Sequence, residues 1–271
     1  MSHPPITAKL LDSYCLTTEL RESTETYYRR IASVFNAWAA AHGISEFTPQ
    51  SVSEFLVAKQ REGLSSHYRK SLRGGLRALL RHSNESFADC RVRPVKTDLL
   101  EPDAWTASEV AELVQSARRV YSRSPADEQY WRTIILVGYY TGASQIDIHR
   151  LTVRNFRADG LVQYVRSKTG KPVNTAVPVA FLADLPRGNP LWPLRTSCEM
   201  FRINFSKIVM AANLTGTFKK LRKSSGTSVD DLHPGRGHEH LGNTRKIFET
   251  HYRAVKKMEL KPILPRLVEV E

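Results

Sequence analysis

Apolar residues recur at helical spacing along most of the chain. Tyr28, Ile31, Phe35 and Trp38 fall at 3-4-3 intervals, one face of a helix. Ser23 or Thr24 would cap it, Glu25 sits in its first turn, and Gly43 stops it. The residues before it, 1 to about 18, read as a loose lead-in. A second helix starts at Thr48-Pro49, a cap followed by an N1 proline, and ends at Gly63, with Val52, Phe55 and Leu56 turned inward. A third runs from Ser65 or Ser66 to about His82 on the apolar stripe Tyr68, Leu72, Leu76 and Leu79. Periodicity is then lost from 83 to 104, where Pro94 and Pro102 mark a linker too long for a loop inside one compact domain.

The pattern resumes at Thr106-x-x-Glu109, a capping box bracketed by the hydrophobic staple Trp105 and Val110. Val110, Leu113 and Val114 face inward. The segment from Glu128 to Tyr140 carries Trp131, Ile134, Ile135, Leu136 and Val137, is apolar nearly all round, and reads as the buried centre of a second domain. The period then changes to two. Val162–Arg166 and Thr175–Val179 are predicted strands joined by the turn Ser167-Lys168-Thr169-Gly170-Lys171, and a short third strand is expected near Thr152–Phe156. Pro186, Pro190 and Pro193 break the chain before a helix from Ser197 to Asn213 that turns Phe201, Phe205, Ile208 and Val209 inward. Next come Lys219-Lys220-Leu221-Arg222, a Gly-rich basic loop, Leu241-Gly242-Asn243, and Tyr252 on a basic helix. The expected fold is mainly α with a small antiparallel β-sheet, in two domains, 1–95 and 104–271, joined by 96–103. Trp105, Trp131 and Trp192 are assigned to the core.

Composition changes the picture in one respect. With 271 residues, 41% apolar and 25% charged, the chain is an ordinary globular one with room for two cores. Its net charge of +13 is not ordinary and points to a polyanionic partner, nucleic acid first; the alternative is a basic but solvated surface. Cys15, Cys90 and Cys198 are odd in number and far apart, which suits a reducing compartment. Met1–Thr7 is polar and Pro-rich, unlike a secretory leader, and the longest apolar run, Thr133–Tyr140, is too short to span a bilayer. A cytoplasmic protein is expected.

Two clusters carry candidate chemistry. On the third helix Arg69, Arg73, Arg77 and Arg81 recur every four residues beside Lys70. Such a row repels itself and makes sense with a phosphate backbone along it; the alternative is a solvated face. Gly74-Gly75 inside that helix costs about 2 kcal/mol against alanines and signals a close approach or a kink. In the last quarter, Arg222 can fork onto two phosphate oxygens, and Tyr252 can attack phosphorus as a covalent nucleophile. His233, His238, Glu239 and His240 match no closed zinc site, so no metal is expected.

Thr141-Gly142-x-x-x-x-Asp147-Ile148, the Lys168-Thr169-Gly170 hairpin, Leu221-Arg222, Leu241-Gly242-Asn243 and a tyrosine nine residues on make an ordered set. That set, from Thr141 to Tyr252, resembles the tyrosine recombinase (phage integrase) family, and the helical region before the linker is similar to the family's SAM-like core-binding domain. The resemblance implies a two-domain clamp around double-stranded DNA and self-association on it as dimer or tetramer. It implies cleavage and rejoining through a 3′-phosphotyrosyl bond with no cofactor. Tyr252 falls at the nucleophile, Arg222 at the second arginine, Lys168 at the hairpin lysine that protonates the leaving oxygen, and Asp147 at the acidic support. Lys219 and Asn243 stand where histidines, or for Asn243 a tryptophan, are usual; both still donate hydrogen bonds.

Ser144 is the serious departure, standing where the family's first arginine is expected. Serine brings neither charge nor a fork to a pentavalent phosphorus. Loss of a charge-stabilising arginine in phosphoryl transfer costs on the order of 10³ to 10⁵ in rate, so impaired cleavage is expected. Arg150 points away along the same helix; His233, Arg236, His238 and His240 would have to fold in from the loop to replace it. The competing reading is a DNA-binding protein on the same scaffold that marks or regulates sites without cutting. An RNA-binding or scaffolding protein would also suit the basic charge, and a type IB topoisomerase relative would also use a tyrosine nucleophile. The tail Glu259–Glu271 would either dock on a neighbouring protomer or fray.

Overall fold

The computed structural model describes residues 5–87, 91–97, 103–195 and 197–254. Cys90 and the tail Glu259–Glu271 lie outside the described residues. The chain divides into two compact units, Met1–Leu100 and Glu101–Glu271.

The first unit is four helices, α1 (Ala8–Thr17), α2 (Glu22–Ala41), α3 (Pro49–Arg61) and α4 (Ser66–Ser83). The lead-in is therefore a helix: the Thr7 hydroxyl caps the Leu10 N–H at 3.2 Å, and Ile6 and Leu11 bury into the core. Its signal is short, since only Leu11 in the helix is fully buried. α2 starts earlier than Ser23 or Thr24 would set it. The Arg21 carbonyl already accepts from Thr24 and Glu25, and Glu22 and Glu25 place negative charge at the positive end of the helix. Thr48 caps α3 in a reciprocal box with Ser51, and Ser65 caps α4. Phe35, Phe55, Leu72, Leu76 and Leu79 fill the centre. Gly75 is a close approach: a Cβ there would sit 2.5 Å from Ile31 Cδ1, so α2 packs directly on the α4 backbone. Gly74 faces open space. The extended stretch 91–97, expected as linker, buries Val92 in this unit.

The second unit contains α5 (Ala107–Val120), α6 (Pro125–Thr141), α7 (Gln145–Ile148), β1 (Leu161–Val165), β2 (Pro172–Ala176), α8 (Cys198–Ala211), α9 (Lys219–Leu232), α10 (Gly237–His240) and α11 (Arg245–His251). Thr106 and Glu109 form the reciprocal cap on α5, and Trp105 and Val110 are both buried beside it. α6 is the buried centre, with Trp131, Ile134, Ile135 and Val137 against Phe201, Phe205 and Leu221. β1 and β2 pair antiparallel, Leu161 opposite Ala176 and Val165 opposite Pro172. Val162, Tyr164, Val173 and Thr175 point inward from that hairpin.

Two expectations fail in this unit. The third strand is instead a 3-10 turn, Val153–Asn155, with a single bridge from Phe156 to Val162. The Asn155 side chain takes the Thr152 N–H at 2.8 Å, and that local bond turns the chain instead of extending it. The Gly-rich loop after Arg222 is mostly helix, since α9 continues to Leu232. Gly226 is tolerated there because Leu241 and Phe248 pack onto its bare backbone; a Cβ would lie 2.7 Å from Leu241 Cδ1. No helix among the described residues is long and apolar enough to cross a membrane.

Candidate functional site

Arg222 sits one turn into α9 and is 3% exposed. Its guanidinium donates to the carbonyls of Gly142, at the end of α6, and Leu241, after α10, the latter at 2.6 Å. Gly142 ends α6 in a left-handed conformation, φ +59°, and the Leu241 side chain occupies the space any Cβ would need. The residue is thus glycine for two reasons, and its carbonyl is aimed at Arg222.

Tyr252 follows α11. Its N–H donates to the Phe248 carbonyl at 2.9 Å, and its own carbonyl accepts from the Thr227 hydroxyl on α9 at 3.2 Å. These bonds place the half-buried ring 5.3 Å from the Arg222 guanidinium carbon, centroid to carbon. Burial pushes the phenol's pKa up, but the charges of Arg222, Lys219 and Arg166 outweigh it and leave the group below its ordinary value. A tyrosine that ionises more readily is a better nucleophile near neutral pH. Lys223, half-buried on the same turn, is lowered by burial and then by the like charge of Lys219.

The Leu241-Gly242-Asn243 turn is held from a second side. Arg166, 8% exposed and just past β1, donates through Nη1 to the Gly242 carbonyl at 3.0 Å and to Asn243 Oδ1 at 2.9 Å. Burial and then the Arg222 charge lower the Arg166 pKa. Asn243 Nδ2 is left buried without an acceptor among the described residues.

Asp147 is buried and receives the Ser144 hydroxyl at 2.6 Å and the Ser167 N–H at 2.7 Å. Burial raises its pKa, but these bonds prevail and the carboxyl stays below the ordinary range. Ser144 also accepts the Asp147 N–H at 3.4 Å, so its one hydroxyl is committed to capping α7. Asp147 therefore ties α7 to the hairpin turn rather than facing outward.

His240 reaches the same cluster from α10. Its ring nitrogens meet Ser225 Oγ at 2.7 Å and Thr175 Oγ1 at 3.1 Å. Burial, then the Arg222 charge, push its pKa down to about 4, so at neutral pH it is uncharged. Of the loop residues that could have replaced an arginine at 144, His233 and Arg236 are exposed, and Arg236 pairs with Glu239. Arg150 is exposed.

Arg222, Tyr252, Asn243, Ser144 and Asp147 thus come together. Exposed Lys219 shares a cavity of about 560 Å³ with Ser144 and Arg222, walled on its other side by Arg202, Ile203 and Ser206 of α8; Tyr252, Asn243 and Asp147 do not line it. Lys168 is not drawn in: it stands exposed on the hairpin turn, with no hydrogen bond or ion pair among the described residues. That turn is nonetheless fixed at its base, where the Arg166 N–H donates to the Lys171 carbonyl at 2.9 Å.

The α4 stripe belongs to the first unit. Arg69 commits its guanidinium to the Leu64 carbonyl at 3.1 Å and Gln60 at 2.9 Å. Arg73 directs its own to the Arg93 and Val92 carbonyls at 2.8 and 3.0 Å. Lys70 and Arg81 are exposed, and Arg77 is half-buried.

Sequence reasoning missed Arg166. Its signal was the alternation itself: Val162, Tyr164 and Arg166 share one parity of the strand, and the first two are plainly core.

No family model matches the chain, and no curated protein does. Solved structures do. A lambda integrase dimer bound to a COC′ core site aligns over 95% of this chain and 99% of its own, with a TM-score of 0.71 at 17% identity. XerH site-specific recombinase in a post-cleavage complex on a palindromic difH substrate aligns over 86% and 77%, with a TM-score of 0.69 at 14%. The Tn1549 transposon integrase in complex with circular intermediate DNA aligns over 92% and 96%, with a TM-score of 0.66 at 11%. At these identities the likeness is one of fold.

Proposed function

We propose that this chain is a DNA-binding protein of the tyrosine recombinase and integrase type, which cleaves and rejoins duplex strands through a 3′-phosphotyrosyl intermediate. The observation that carries the reading is Tyr252 lying against a buried guanidinium, Arg222, that has no carboxylate partner among the described residues. A buried cation without a counter-ion is costly unless an anion is its business. The net charge of +13 and the DNA-bound state of the structural neighbours support duplex DNA as that anion.

In the reaction, Tyr252 Oη bonds to phosphorus, the phosphorus–O5′ bond breaks, the phenolic proton leaves to water, and O5′ takes a proton from Lys168, which the exposed hairpin turn has to carry inward onto bound DNA. Arg222, Lys219 and Asn243 hold the phosphate oxygens, and Asp147 supports them from behind. The phosphotyrosyl bond conserves the phosphodiester energy, so rejoining needs no cofactor. Dimers or tetramers on DNA, as in the lambda integrase structures, would bring two sites together.

A second reading, binding without cleavage, is favoured by Ser144, whose only hydroxyl is consumed in capping α7. The two are separated by enriching a bound duplex from a random-sequence library, nicking it beside each central phosphate in turn, and looking for a protein–DNA adduct on a denaturing gel. An adduct lost in Tyr252→Phe supports strand transfer. Tight binding with no adduct at any nick position supports the second reading.

A further inference from the structure

Ser144 leaves the phosphate one guanidinium short, and the site already contains another. Arg166 and Arg222 enter from opposite sides and donate to consecutive carbonyls of one turn, Arg166 to Gly242 and Arg222 to Leu241. Both are more than nine-tenths buried. Neither pairs with a carboxylate among the described residues. Asp147 is near, but its oxygens are already taken by the Ser144 hydroxyl and the Ser167 N–H. Two buried like charges raise each other's cost, and an anion set between them relieves it.

Arg166 is also aimed. Nη1 is locked on the Gly242 carbonyl and Asn243 Oδ1, while Nη2 has no acceptor among the described residues and Nε is buried without one. A planar fork with one arm fixed and the other uncommitted is preorganised for an oxyanion. Arg222 in turn lies against the Tyr252 ring, 5.3 Å from its centroid, so the turn that both arginines grip borders the phenol.

We propose that Arg166 supplies the second guanidinium contact to the reacting phosphodiester, from the end of β1, in place of the charge that residue 144 lacks. The proposal rests on the strand-transfer reading for its rate consequence, but not for the contact itself. The same scaffold would then hold its two arginines at the hairpin and at α9 rather than at α7 and α9. Ser144 becomes a pure helix cap because the charge has moved elsewhere.

The test uses the full-length protein and the enriched duplex, intact and nicked. Arg166→Ala is expected to slow adduct formation on the order of 10³-fold, the usual scale for an arginine in phosphoryl transfer, and Arg166→Lys to recover part of it. The gain from Ser144→Arg is expected to be larger in the Arg166→Ala background than in the native protein, as two guanidinia serving one phosphate would substitute for each other.

Binding gives a readout independent of cleavage. With an uncharged methylphosphonate scanned through the central phosphates, the native protein should lose affinity at one position, and Arg166→Ala should lose less there, the remaining penalty being that of Arg222 and Lys219. Adduct formation unchanged in Arg166→Ala overturns the proposal. So does a methylphosphonate penalty equal in native and variant, or absent at every position in the native protein; Arg166 is then only a latch on the 242–243 turn. If the native protein binds but makes no adduct, strand transfer falls, and the methylphosphonate comparison alone still decides the Arg166 contact.

Discussion

The stripe on α4 and the cluster around Tyr252 use the same side chain in opposite ways. Arg69 and Arg73 run along a half-exposed face and end on the carbonyls of chain segments that need anchoring. Arg166 and Arg222 also end on carbonyls, but inside the protein, and Arg222 lies against a tyrosine whose proton its charge loosens. A guanidinium at the surface loses little when it binds a carbonyl, because water still reaches its faces. A buried one has given up its hydration and holds its charge against a deficit. Regular spacing of arginines is therefore a weaker sign of phosphate chemistry than their burial without a counter-ion.

The largest expected effect separating the two regions comes from Arg222→Ala. It should reduce adduct formation on the order of 10³-fold or more, and strand two carbonyls at about 1–3 kcal/mol each. Thermal melting beside the suicide-substrate assay resolves the two parts. An active Arg222→Ala would erase the contrast.

Acid comes next. His240 is uncharged in the fold and, with a pKa pushed from 6.5 to about 4, resists protonation that the unfolded chain accepts. The unfolded state therefore binds more protons between those values. Stability is full above about pH 6.5 and falls as pH drops toward 4, by roughly 3 kcal/mol. Hydrogen exchange should show α9 and α10 loosening over that range while α4 holds, and His240→Gln should flatten the dependence. Uniform acid loss in both units would count against the difference.

A smaller effect is expected in the first unit. Arg73→Ala should destabilise it by about 1–2 kcal/mol, since two carbonyls of the 91–97 stretch lose a charged donor, and should leave adduct chemistry per bound complex intact. The smallest is Lys70→Ala. If this exposed lysine touches phosphate, affinity falls uniformly across sequences and the log–log salt slope shrinks by about 0.9. An unchanged slope returns Lys70 to the solvated face.

Much of this was legible in the chain. Capping boxes and one-sided apolar stripes announced α3, α4, α5 and α8, because the positions that cap and bury are local in sequence. α1 was not legible, for its burial depends on partners contributed by α2 and α4. α9 was misread because glycine ordinarily weakens a helix; Gly226 is offset by Leu241 and Phe248, which lie far along the chain. In the candidate site, Arg222 and Tyr252 were singled out by the chemistry of the last quarter and Asp147 by the resemblance. Arg166 was not, because the turn lysine two residues on carries the motif and the strand before it reads as scaffold. A charged residue with core parity is itself a signal, since something must neutralise it.

The two-stranded hairpin has a consequence for anyone who would re-engineer the chain. Its inner and outer positions alternate, so Arg166 reaches the 242–243 turn, and Ser167 reaches Asp147, only while the strand keeps its present count. Removing a single residue from β1 would swing that arginine into solvent and bring a neighbour of the wrong kind in its place. Two residues removed together would keep the strand's parity. Changes to the length of β1 therefore have an arithmetic rule to obey: even ones keep Arg166 inside, odd ones turn it out.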